Sequence, residues 1–119
     1  MENIEFGKEL EKRTKKFAVS ILKLSGKLPN SIEGKVIRNQ ISKSGTSVGA
    51  KYCEANRSRS KADFSNKIRI SEAEASETVF WLELIIEMKW IEDKKLQAII
   101  KESNELLAIF TSISKNLKN

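Results

Sequence analysis

Apolar residues recur along this chain in steps of three and four, in four blocks separated by short polar or breaker-rich stretches. In the first block Leu10, Phe17, Ile21, Leu24 and Leu28 fall on one helical face. This predicts a helix over about residues 5–25, closed at Gly26 and kept from continuing by Pro29. Ser31 then stands where the next helix needs an N-cap. The second block runs Ile37, Ile41, Ser44, Val48, Tyr52 and Ala55, straight through Gly45 and Gly49. A loop has no reason to keep helical phase, so the rhythm predicts a helix over about 32–56. An interior glycine costs a helix roughly 0.5–1 kcal/mol relative to alanine. Two of them at i, i+4 therefore point to close helix packing, where a neighbouring backbone leaves no space for a side chain.

Ser60 and Asp63 have the spacing of an N-cap and its N3 partner, opening a third helix over about 61–88. Its main stripe is Phe64, Ile68, Ser71, Ala75, Thr78, Leu82 and Ile85, with a second stripe of Trp81, Leu84 and Met88 beside it. Val79, Phe80 and Ile86 add apolar positions beyond both stripes. A helix in a monomeric bundle keeps one face polar, so this surplus predicts an oligomer interface, with self-association the simplest form. The segment "KWIEDK" reads as a turn with Asp93 as a candidate cap. A fourth helix follows over about 94–116, where Leu96, Ile99, Ser103, Leu106, Phe110, Ile113 and Leu117 form a heptad-like seam. Four amphipathic helices with short connections pack most simply as an all-α, up-down-up-down four-helix bundle in one domain, 1–119.

Composition narrows the class. With 39% hydrophobic and 32% charged residues in 119 positions, the chain is too apolar for a disordered tail and too charged for a membrane protein. The longest strongly apolar run, "VFWLELII", is far short of the roughly 20 residues a spanning helix needs. "MENIEFGKELEKR" lacks the apolar core of a signal peptide. A lone cysteine, Cys53, forms no internal disulfide and reads as a small interior residue. A cytoplasmic protein is expected.

The net charge of +6 is unevenly placed. Residues 57–71 hold Arg57, Arg59, Lys61, Lys67 and Arg69 against Asp63 alone, whereas 72–91 hold five glutamates against Lys89. The basic segment, joined by Lys43 and Lys51 on the second helix, is the candidate nucleic-acid surface. Its plainer reading is a solvated face. Nothing in it interleaves aromatic rings with cations as a base-stacking platform does.

Candidate chemistry is sparse. The chain has no histidine, which removes a di-iron Glu-x-x-His bundle and any His-based triad. Cys53 has no second thiol or imidazole for a zinc site or a Cys-His nucleophile. No glycine-rich loop follows a strand, and no cofactor is expected. Glu83 and Glu87, at i, i+4, read as a solvated acidic face. Glu54 and Glu77 read as structural carboxylates paired with Arg38, Lys43 or Lys67. The residues name no catalytic group.

"QISKSGTSVGAKYCEA", Gln40 to Ala55, resembles the hallmark segment of the four-helix bundle proteins related to the 23S ribosomal RNA intervening-sequence proteins. "SKADFSNKIRISEAEASETVFWLEL", Ser60 to Leu84, resembles the same family's second block, and Leu28-Pro29 fits its first connection. Gln40, Ile41, Ser44, Ser47, Glu54, Ala55, Ser60, Phe64, Glu77, Trp81 and Leu82 match by position. Lys43 stands where arginine is common, Gly45 where alanine is usual and Lys51 where asparagine is usual. The family is similar to the accessory variability determinant of diversity-generating retroelements, a basic bundle that works with a reverse transcriptase. The resemblance thereby implies a homopentamer with a role on nucleic acid, and it transfers no catalytic residue. Three functions stay open at this point: a non-enzymatic oligomer that binds RNA or DNA backbone, an oligomeric scaffold for a protein partner such as a reverse transcriptase-like protein, and a small helical enzyme built from Arg, Lys and Glu.

Overall fold

In the computed structural model, which describes residues 4–92 and 94–117, four helices follow one another: α1 (Ile4–Ser25), α2 (Ile32–Asn56), α3 (Lys61–Met88) and α4 (Lys94–Asn116). Each packs against the next in chain order, and α1 closes the ring with a lighter contact to α4. Neighbours run antiparallel, since Ser71 reaches Val48 while Thr78, further along α3, reaches Ser44, earlier on α2. The fold is the all-α four-helix bundle that the periodicity predicts. Its long axis of 44 Å is set by α3, whose 28 residues span about 42 Å at a rise of 1.5 Å per residue.

The helix ends follow from local chemistry. Ser31 Oγ accepts the Gly34 N–H at 3.0 Å and Ser60 Oγ accepts the Asp63 N–H at 3.1 Å, both from extended backbone. A Cβ at Gly34 would run into the Pro29 carbonyl, so this third glycine is fixed by the turn before α2. α3 ends on Lys89 in the left-handed region, φ 56°, a position that glycine fills more easily. Asp93, the candidate cap of α4, lies outside the described residues.

The core is one continuous apolar cluster from Leu10, Phe17 and Ile21 through Ile41, Val48 and Tyr52 to Ile68, Leu82, Leu106 and Phe110. Tyr52 and Phe110 meet edge to face at its centre. Small hydroxyl residues bring α2 and α3 close together. Ser71 Oγ donates to the Val48 carbonyl at 2.9 Å, and Thr78 Oγ1 shares a 2.8 Å hydrogen bond with Ser44 Oγ. Each buried hydroxyl is thereby satisfied across the helix boundary.

The α4 seam faces the core: Leu96, Ser103, Leu106 and Phe110 are buried, Ile99, Ile113 and Leu117 pack half-buried against the cluster, and Ser114 is buried as well. Val79, Phe80 and Ile86, the residues expected at an oligomer interface, differ in exposure within the bundle. Val79 is half-buried against α4, on a small cavity of about 30 Å³ shared with Ile100 and Ser103. Phe80 is 51% exposed and Ile86 38%. At 3.6 residues per turn Phe80 points about 100° away from Val79, while Ile86, seven residues on, lies within about 20° of it nearer the end of α3.

Ser103 Oγ is buried without a hydrogen-bond partner among the described residues. A lone desolvated hydroxyl destabilises a fold by roughly 1–3 kcal/mol. Ser103→Ala is therefore expected to raise the midpoint of chemical denaturation or leave it unchanged. A clear drop would mean that the hydroxyl is satisfied in solution.

Candidate nucleic-acid interface

The basic segment occupies the corner between α2 and α3. α2 ends because the Arg57 and Ser58 N–H groups turn back onto the Glu54 and Ala55 carbonyls, at 3.0 Å each. Arg57 Nη1 donates to the Cys53 carbonyl at 2.9 Å, placing a cation at the negative end of the helix dipole. Arg59, Lys61 and Arg69 are exposed, and none forms an ion pair with a described residue. These three cations are fully available to solvent anions.

Two of the seven candidate cations are committed elsewhere. Lys67 Nζ lies 2.9 Å from Glu54 Oε1, and Lys51 Nζ lies 3.4 Å from Glu54 Oε2. Glu54 is thus a bridge between α2 and α3, although it is exposed rather than half-buried. The Lys67 hydrogen bond holds its carboxyl below the ordinary range, and Glu54 in turn raises the Lys67 ammonium. Lys43 is exposed but stands 14 residues before Arg57, roughly 21 Å along α2. It belongs to a different part of the surface.

The other sequence candidates fall as follows. Glu77 is exposed and accepts the Trp81 indole N–H at 3.0 Å, so its partner is an aromatic donor and not a cation. Arg38 pairs with no carboxylate among the described residues. Its guanidinium donates to the Ser25 and Leu28 carbonyls at 3.2 and 2.7 Å, capping the chain that leaves α1. Cys53 is half-buried at the α1–α2 edge, with Sγ 3.5 Å from Glu11 Oε1. Burial and the Glu11 charge push the thiol up, which disfavours the nucleophilic thiolate. Gly45 and Gly49 lie where α1 crosses α2, against Ile21 and Thr14.

Sequence reasoning missed the role of the carboxylates around α1. Arg13 forms a forked pair with Glu102 at 2.7 Å and also reaches Glu105 at 2.7 Å, tying α1 to α4. Glu11 accepts from Asn56 Nδ2 at 2.8 Å, a bond that lowers its pKa and ties α1 to α2. Residues so far apart in sequence give no local signal of these pairs.

Among the described residues Glu74 is the one carboxyl held above the ordinary range. Partial burial between α2 and α3 raises it, as does the neighbouring Glu77, against the opposing pull of Lys43 and Lys51. A glutamate whose folded pKa is raised weakens the fold above that pKa, and the penalty fades as pH falls toward and below the ordinary 4.5. Glu74→Gln is expected to melt higher than wild type at pH 7, with the difference shrinking in acid. A gain that persists unchanged at pH 4 would assign the effect to packing.

The sequence pattern of the 23S rRNA-intervening sequence proteins matches residues 8–112. The chain belongs to this family. A similar solved structure, a protein of unknown function from the S23 ribosomal protein family of Bacteroides thetaiotaomicron VPI-5482, is 39% identical over 88% of this chain and 97% of its own. The two superimpose with a TM-score of 0.80. No curated protein matches the chain. Within the intervening-sequence fold of this chain, the described residues contain no group of three or more metal-ligating side chains and no helix long and apolar enough to cross a membrane.

Proposed function

We propose that this protein is a non-enzymatic, homo-oligomeric bundle that binds the backbone of RNA or DNA in the cytoplasm. The observation that carries the reading is the α2–α3 corner, where Arg59, Lys61 and Arg69 project into solvent without a carboxylate partner among the described residues. Asp63 is the sole acidic residue between 57 and 71. Such a patch recognises phosphate charge, and with no base-reading or stacking group it is indifferent to sequence. Oligomerisation is supported by Phe80 and Met88 on α3 and Val36 on α2, large apolar side chains about half exposed. A pentamer is the state suggested by the likeness to the retroelement accessory proteins. The same apolar side chains favour a second reading, a scaffold for a protein partner such as a reverse transcriptase-like protein.

The test is fluorescence anisotropy with unrelated RNA and DNA oligomers across a salt series. Binding is expected at low salt, with a log–log slope near −0.9 per neutralised phosphate on duplex DNA. Changing Arg59, Lys61 and Arg69 together to Glu should weaken binding to every sequence alike. No binding at low salt, together with stoichiometric capture of a protein that survives nuclease treatment, would establish the scaffold reading instead.

A further inference from the structure

Along the outer side of α1, Lys8, Lys12 and Lys15 follow one another at i, i+4 and i+7, flanked by Lys16 and Lys23. All five are exposed, and none forms an ion pair with a described residue. Glu5 and Glu9 are exposed on the same helix, against five lysines, and leave this face net positive, while the other nearby acids are engaged elsewhere. Glu11, four residues before Lys15, has turned inward to Asn56 and Cys53. Glu102 and Glu105, across on α4, are both held by Arg13. The result is a row of cations from Lys8 to Lys23, roughly 22 Å long at 1.5 Å per residue. Glu11 lies between this row and the basic corner, within electrostatic reach of both Lys15 and Arg57.

We infer that the outer face of α1 is the main phosphate-contacting surface, extending the α2–α3 corner into a stripe that takes double-helical nucleic acid along its backbone. This rests on the nucleic-acid reading above and names the form of ligand and the residues that hold it. The occupant follows from charge complementarity. The exposed residues that interrupt the stripe are Glu9, Val19 and Leu22, which offer no ring for an unpaired base. Single-strand binders rely on such rings, whereas a row of lysines on a rigid helix meets the regular phosphates of a duplex.

The experiment compares wild type with two matched neutralised proteins, one carrying Lys8→Gln, Lys12→Gln and Lys15→Gln and the other Arg59→Gln, Lys61→Gln and Arg69→Gln. Each is titrated against a 20-base-pair RNA duplex, its DNA counterpart, a 20-nucleotide single strand, polyglutamate and anionic lipid vesicles, with circular dichroism and native mass as controls. The α1 variant is expected to lose at least tenfold in duplex affinity at 0.1 M salt, more than the corner variant. Its salt slope should flatten by roughly 0.9 per lost phosphate contact. Duplexes should bind more tightly than the single strand, polyglutamate or vesicles. Unchanged duplex binding by the α1 variant, with loss in the corner variant, would overturn this inference and leave the broader reading standing. Tighter binding to single strands, polyglutamate or vesicles, or a changed native mass in the α1 variant, would also overturn it. Absence of any nucleic-acid binding by wild type would overturn both.

Discussion

Gly49→Ala is expected to destabilise the protein, the reverse of what the same change does in an ordinary helix. Alanine is favoured over glycine in a helix interior by roughly 1 kcal/mol, so an uncrowded site would gain stability. Here an added Cβ would stand 2.8 Å from Thr14 Oγ1, 2.9 Å from Thr14 Cβ and 3.3 Å from its backbone carbonyl carbon. Thr14 is fully buried, and backbone cannot swing aside as a surface side chain can. Gly49→Leu should cost roughly 3 kcal/mol or more, at or beyond the upper end for an overpacked core. At Gly45 the Cβ would meet the Ile21 side chain at 2.7 Å, and a partial rotamer adjustment makes the penalty smaller. The check is urea denaturation of the alanine and leucine variants at both positions. An alanine variant at Gly49 that matches or exceeds wild type would show that α1 and α2 stand further apart in solution.

The helices were legible because signal and cause coincide. Ile41, Ser44, Val48 and Tyr52 sit on one face because that face is buried, and Ser31 and Ser60 mark helix starts because their side chains occupy the orphan N–H groups there. Three of the four helices begin and end at the residues the pattern indicates, and α1 starts one residue earlier. The surface was much less legible. Lys67 carries two readings in the sequence, a phosphate contact and a partner of Glu54, and only the packing of α3 on α2 selects the Glu54 pair, thirteen residues apart. Arg38 reads as an ion-pair partner, and it caps α1 through backbone carbonyls instead. The α1 lysines were masked by counting charge along the segment, where Glu9 and Glu11 offset them. Only the rotation of α1 in the bundle shows that these lysines share its outer face while Glu11 is drawn to Asn56.

Loss of the exposed apolar side chains of α3 is expected to weaken nucleic-acid binding without touching a single cation. Phe80 is 51% exposed and Met88 46%, and Phe80 leans edge to face on Trp81 with ring centroids 5.0 Å apart. Fully burying a side chain of this size is worth roughly 1.5–3 kcal/mol. In the proposed oligomer a few of them, repeated at every protomer contact, would hold the ring together. One bundle then presents a modest patch, whereas an oligomer presents several at high effective concentration, and linked sites gain on the order of 10²-fold or more in affinity. Phe80→Ser combined with Met88→Gln should lower the native mass in sedimentation velocity while helical circular dichroism persists. Because neither change adds charge, any fall in affinity reports the lost multivalency rather than new repulsion. The expected fall is on the order of 100-fold at 0.1 M salt, with the salt slope dropping as fewer phosphates are met at once. A wild-type protein that sediments as a monomer, or a double variant that dissociates and still binds as tightly, would separate assembly from binding and remove the link between them.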